Sequence, residues 1–296
     1  MKNTVFAVLG LFAFFVGCDI VEDPYPAREI IGDCDQAFND TVYNDTNYIG
    51  RRIMLEEFTG HKCPNCPAGQ EIAEDIHDQY PDDFFSVAVH NSGSFSSPDS
   101  KYPADYETET GEKLKINYAV NAFPSGLINR SEINGQNVVD YRVWEAEVSS
   151  LLQDPIYSAP RFKVVLENIY NPDCRVLRVR GNISASQSLS GEYYITGYVL
   201  ESGIISKQTD NRVAEPIEDY EHNHMLRVGF PDNGTGKFIF SNPNEGESFD
   251  MTLSREEEIA TTLDESWVED NLKVVVFIYE LNTGEVVFAE EMKLKN

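Results

Sequence analysis

Ile53-Met54-Leu55-Glu56-Glu57-Phe58, then Cys63-Pro64-Asn65-Cys66, then Ala68, Ile72, Ile76 and Tyr80: the reading of this stretch decides the fold. The first six residues read as a buried strand. The last four are spaced by four and mark one face of a helix. Two thiols therefore sit where a strand hands over to a helix N-terminus. Pro64 and Pro67 fall in the first helical turn, where a missing N–H costs little, and support a helix start. The helix is predicted to end at Tyr80-Pro81, because proline disfavours helical backbone at the residue before it. Phe84–His90 reads as a second buried strand, and strand–helix–strand order favours parallel pairing.

Further along, Asn91–Glu112 is a polar stretch that reads as an insertion, and Lys113–Tyr118 looks like the end of a helix. A strand is expected at Gly126–Asn129. Val139, Val143, Val148, Leu151 and Leu152 have helical spacing that stops before Pro155. From Ser158 the pattern becomes alternating: Phe162, Val164 and Leu166, then Val176–Arg180, then Tyr194–Leu200. Leu272–Tyr279 and Glu285–Ala289 are strands joined by a hairpin signal at Leu281-Asn282-Thr283-Gly284. The expected architecture is an α/β domain over 51–154, followed at 158–296 by an all-β, Ig-like antiparallel sandwich of about seven strands.

The chain has 296 residues, 41% of them hydrophobic, and a net charge of −27. That length allows two ordinary domains. The charge argues against nucleic acid as a partner, because phosphate binding needs a basic face. Residues 1–17 read as a signal segment: Lys2 precedes an apolar run, Val5–Val16, that is too short to span a bilayer. The run ends in Phe15-Val16-Gly17-Cys18, which resembles a bacterial lipobox with Cys18 as the lipidated residue, although Phe15 departs from the usual Leu. Acyl chains on Cys18 would anchor the protein to a membrane. Residues 18–50, rich in Asp, Asn, Pro and Tyr, read as a tether. Cys34 and Cys174 are possible structural cysteines, paired with each other or free; outside the cytoplasm disulfides are permitted.

Two thiols three positions apart can exchange with a disulfide. The attacking group is a thiolate, and a helix N-terminus lowers a thiol pKa. Cys63 is placed for that role, with Lys62 as a possible source of further positive charge. Cys66 can then attack the mixed disulfide and release product. The first domain resembles the thioredoxin family, on the Cys63–Cys66 dithiol after a strand, on Glu57-Phe58 six residues before it, and on Tyr118-Ala-Val-Asn-Ala-Phe-Pro124-Ser. The resemblance implies that Glu57 transfers protons and that Pro124 is cis beside the dithiol, shaping a substrate groove. Two departures stand out: Lys62 replaces the usual Trp, and Asn65 leaves the direction of electron flow open.

Rival readings accompany these. The Cys63–Cys66 pair can be a static structural disulfide. A zinc site at the pair lacks evident further ligands, although His61 is near, and His61 reads as a loop residue. His222 and His224, two apart on a strand, would point to one face as weak metal candidates, with no third ligand at a recognisable spacing. Tyr220-Glu-His-Asn-His-Met-Leu-Arg227 is similar to a segment of the Omp28-related outer-membrane lipoproteins of Bacteroidetes. That resemblance implies a lipobox, a Cys-x-x-Cys domain, a β-rich C-terminal domain and a place in the outer membrane. The expectation is thiol–disulfide exchange on exported proteins with an unidentified redox partner and no cofactor. The alternative is a non-enzymatic accessory or binding lipoprotein with a structural disulfide.

Overall fold

The computed structural model describes residues 42–48, 51–231, 235–251 and 259–295. All of them lie in one compact unit, Ala37–Asn296. In chain order the first elements are β1 (Val42–Tyr48), β2 (Ile53–Phe58), α1 (Cys66–Gln79), β3 (Phe84–Val89) and α2 (Glu109–Asn117). Next come β4 (Ser125–Ile128), β5 (Val138–Asp140), α3 (Trp144–Gln153), β6 (Phe162–Asn171), β7 (Val176–Ala185) and β8 (Glu192–Glu201). They are followed by β9 (Ile204–Gln208), β10 (Ile217–His222), β11 (Met225–Phe230), β12 (Lys237–Ser241) and β13 (Ser248–Met251). β14 (Ile259–Thr262), β15 (Leu272–Glu280) and β16 (Val286–Lys293) complete the chain.

α1 forms where its pattern predicts. Asn65 is the N-cap, a proline sits in the first turn, and Tyr80 closes the helix just ahead of Pro81. Pro64 lies outside the helix, so Cys63 precedes the N-cap rather than standing inside the first turn. α1 buries Ala73 and Ile76 in a cluster with Ile53, Leu55, Phe84, Trp144 and Val148, so α1 and α3 share a helix-to-sheet core. α2 is capped by Thr108, whose hydroxyl accepts from Gly111 N at 3.0 Å.

β2 and β3 pair in parallel from Ile53↔Phe84 to Phe58↔Val89, and β4 pairs antiparallel to the other edge of β2. The sheet does not stop there. β11 adds to the free edge of β3, with Ala88 N donating to His224 O at 2.8 Å, and β8, β15 and β16 follow. The result is one nine-stranded mixed sheet, ordered β16-β15-β8-β11-β3-β2-β4-β5, with β12 also on β8. A five-stranded sheet (β1-β6-β7-β13, with β14 on β7) packs against its C-terminal half. β15 shows why this region reads as strand. Val274, Val276 and Ile278 enter the core shared with the five-stranded sheet, whereas Val275, Phe277 and Tyr279 face a second core with Met54, Phe58 and Phe85. Each fully buried Val, Ile or Phe there contributes ~1.5–3 kcal/mol.

This corrects the expected fold class. The chain is not an α/β thioredoxin-like domain followed by a separate Ig-like sandwich; it is mostly β, and strands from both halves share one sheet. The physical reason is that alternation in a strand reports which faces are buried, not which neighbour covers an edge. The edge of β3 looked complete as a local βαβ unit, yet its unpaired side recruits β11 from more than a hundred residues away. The C-terminal hairpin does form as predicted, with β15 and β16 antiparallel around Leu281–Gly284. β1 lies inside the stretch that reads as a tether and pairs antiparallel with β6. Cys18 and Cys34 lie outside the described residues. No helix among the described residues is long and apolar enough to cross a membrane.

A buried network ties the halves together. Arg130, after β4, donates to both oxygens of Glu56 on β2 at 2.7 Å and to Tyr198 on β8 at 2.6 Å, and Tyr198 donates to Glu56 at 2.7 Å. Three elements distant in sequence thus meet over one carboxylate that has no exposure.

Candidate functional site

Cys63 and Cys66 are joined as a disulfide with a Cα separation of 5.4 Å, ordinary for such a bond. The loop that carries them is tied to itself by Cys63 N to Gly60 O at 2.9 Å and Ala68 N to Asn65 O at 3.2 Å. Both cysteines are buried, at 1% and 0% exposure. Their loop is clasped by a strap formed by β9, β10 and the turn between them, an excursion between β8 and β11.

The strap is attached residue by residue. Gln208, itself with no exposure, donates to Cys63 O at 3.2 Å and to Gly60 O at 3.4 Å. Thr209 N donates to His61 O and Asn211 N to Pro64 O, both at 2.9 Å. Asn211 Nδ2 donates to Asn65 Oδ1, and Tyr220 donates to Gln70 on α1, both at 2.5 Å. At the rim Arg212 forks onto Glu71 at 2.6 and 2.7 Å and also holds Asp210. These hydrogen bonds hold Glu71 and Asp210 below the usual carboxylate range.

Glu57 lies on the α1 side of β2, 2% exposed, and its Oε1 has no hydrogen-bond partner. Burial, with repulsion from Glu74 added, pushes its pKa up to about 8, so it is protonated at neutral pH. The Phe123–Pro124 peptide is cis. Gly69 is where α1, Glu57 and Pro124 converge: a Cβ there would sit 2.9 Å from Pro124 Cβ and 3.4 Å from Glu57 Oε1. The sequence-predicted residues Cys63, Cys66, Glu57 and Pro124 therefore surround the first turns of one helix.

Lys62 turns elsewhere. Its ammonium binds Asp99 at 3.2 Å and the Ser97 carbonyl. Cys174 is disulfide-bonded. His222 and His224 part company: β10 ends at His222, His224 has a left-handed backbone (φ 54°), and strand alternation is broken between them. His222 packs on His90, whereas His224 lies 6.3 Å from His77 and 3.8 Å from Glu291. Among the described residues no three His, Cys, Asp or Glu side chains are arranged to hold a metal ion. Sequence reasoning missed Gln208, Arg212 and the whole strap. His61 does lie in the loop after β2, as expected, but it is buried there at 1% exposure.

The fold and site together define a class: a β-rich protein with a disulfide loop clasped by a strap from its own C-terminal half. The family model for outer membrane protein Omp28 matches residues 112–295, well over half of the chain, and the chain belongs to that family. The family is one of outer membrane proteins, and the outer membrane is accordingly the place of this chain. No curated protein matches it. Among solved structures it is similar to HBP35 of Porphyromonas gingivalis, with 17% identity and a TM-score of 0.61, covering 84% of this chain and 77% of that one. A protein of Agrobacterium tumefaciens is 12% identical, with a TM-score of 0.45 over 83% of this chain and 96% of its own. A domain of the outer membrane lipoprotein Omp28 from Porphyromonas gingivalis is 15% identical, with a TM-score of 0.30 over 46% of this chain and 89% of its own. At these identities the likeness to HBP35 speaks to fold alone.

Proposed function

We propose that this lipoprotein is a non-enzymatic accessory or binding subunit of the outer membrane, in which Cys63–Cys66 is a structural disulfide. The observation that carries this reading is the burial of the pair. Exchange requires a thiolate to reach one sulfur of the disulfide, and here both cysteines are buried and their loop is tied down by Gln208 and its neighbours. The disulfide closes the loop on which the strap rests, so its role is to hold that surface in shape.

The test is a pull-down from outer-membrane extract combined with a glutathione redox titration of the full chain. The Cys63→Ser/Cys66→Ser variant is expected to retain a partner captured by the native protein. The native pair is expected to stay oxidised to below about −300 mV. Glu57 and cis Pro124 beside α1 favour a second reading, thiol–disulfide exchange on exported proteins. A midpoint between about −120 and −270 mV, with turnover abolished by Cys63→Ser, would replace the binding reading by that one.

A further inference from the structure

The strap carries at its root one of three buried histidines that meet around a tyrosine. His61 comes from the loop after β2, His90 from the end of β3 and His222 from the end of β10, and none is more than 1% exposed. The Tyr106 ring lies 5.6 Å from His61, 5.6 Å from His90 and 5.8 Å from His222. His90 and His222 are 5.5 Å apart. Tyr102 stacks on His61 at 5.4 Å, and Tyr220 packs on His222 at 5.0 Å. No ring nitrogen of the three histidines has a hydrogen-bond partner of normal geometry; the Ala88 carbonyl is the backbone acceptor that acts on His90. His90 packs edge to face on Tyr106 and on His222, and Tyr106 edge to face on His61, as neutral aromatic groups do, rather than converging on an ion.

The charges around this cluster offer the His90–His222 pair no counterion. Lys62, Asp99 and Asp105 act on His61, and Asp99 is itself paired with Lys62. His90 is faced by His222, His61 and Arg227 of β11, and His222 by His61. The carboxylates of the α1 side and the strap, Glu57, Glu71, Glu74 and Asp210, act on Tyr220. A proton added to either histidine would place an imidazolium in an apolar pocket, beside other cations or imidazoles.

We propose that the β9–β10 hairpin is an acid-released strap: protonation of the His90–His222 pair lifts it from the Cys63–Cys66 loop and exposes the disulfide. His222 is the last residue of β10, so freeing its ring means moving the hairpin, whose tip is held by polar contacts that water can replace. Burial holds His222 down at about 4 and His90 well below its ordinary 6.5. Both folded values are depressed, so closure is fully favoured above about pH 6.5 and weakens as pH falls from there toward 4. From His222 alone, the closed-to-open ratio falls about twentyfold between pH 7 and pH 5. Glu71 and Asp210 remain ionised over most of that window, so the Arg212 clamp does not account for the change. The inference rests on the clasp, not on whether the disulfide reacts with a biological partner.

The test is the rate at which a water-soluble phosphine reduces Cys63–Cys66 in the full chain in detergent. The rate is read by mass spectrometry of the alkylated Cys63–Cys66 peptide and normalised at each pH to oxidised glutathione. The expected result is a normalised rate about twentyfold higher at pH 5 than at pH 7, with far-ultraviolet circular dichroism unchanged. His222→Phe should reduce that dependence, and His90→Phe/His222→Phe should flatten it. Because an added Phe can disturb folding, Arg212→Ala serves as the second variant: it should raise the rate at both pH values and keep their ratio. Equal normalised rates at the two pH values, an undiminished ratio in the double variant, or exposure only with global unfolding would each overturn the proposal.

Discussion

Glu57 is the residue on which burial leaves the plainest mark. Desolvation, and then Glu74, raises its carboxyl to about 8, and one oxygen is unpartnered. A raised carboxylate favours the neutral acid, so the folded state is most favoured below the ordinary 4.5 and loses stability as pH climbs toward 8. Glu57→Gln keeps the shape without the titration. Measured by urea denaturation against the native protein, its stability should gain steadily from pH 6 to pH 8, and at pH 9 it should exceed the native protein by several kcal/mol, about 5 at most. Parallel pH profiles for the two proteins would mean that Glu57 reaches water. This residue was partly legible in the sequence: its place before the dithiol was visible, but Leu55 and Phe58 on either side did not settle its face. The pairing of Glu57 with Ala88 on one side and Gly126 on the other settles it, and pairing is long-range information.

At the scale of elements, α1 and the β15–β16 hairpin were legible, because a helix's caps and a tight turn's residues act within a few positions. The strap was not. Its tip meets the disulfide loop across a separation of 145 residues, through a glutamine with no motif to announce it. Gln208 and Arg212 attach the strap by different physics, which gives a prediction. Gln208 is buried and its amide bonds to both the Gly60 and Cys63 carbonyls, so truncating it removes two buried hydrogen bonds between strap and loop, at ~0.5–1.5 kcal/mol each. Arg212 is 46% exposed, and pairs of that kind contribute ~0–1 kcal/mol. Phosphine reduction of Cys63–Cys66 at pH 7 should therefore accelerate about tenfold or more in Gln208→Ala and by less than about fivefold in Arg212→Ala. The reverse order would show that the rim, not the buried amide, holds the strap down.

On the scale of the whole molecule, the nine-stranded sheet makes the two halves one object, and this is the level at which the sequence misled. Each half shows a self-consistent local pattern, and nothing in periodicity tells that β11 will complete the edge of β3 or that Tyr198 will reach Glu56. If the shared sheet governs folding, the halves must unfold together. Trp144 lies in the helix-side core and Trp267 against the core between the sheets, so each reports on one half. Single-tryptophan variants, Trp144→Phe and Trp267→Phe, should give urea transitions with coincident midpoints. Arg130→Met sharpens the point, because it leaves Glu56 buried without its guanidinium partner. It should cost about 3–5 kcal/mol, and both tryptophans should report the same loss. Adding Glu56→Leu should restore most of that stability, since removing both charges removes the unpaired one. Two separated midpoints, or a loss seen by Trp144 alone, would return the molecule to two independent domains.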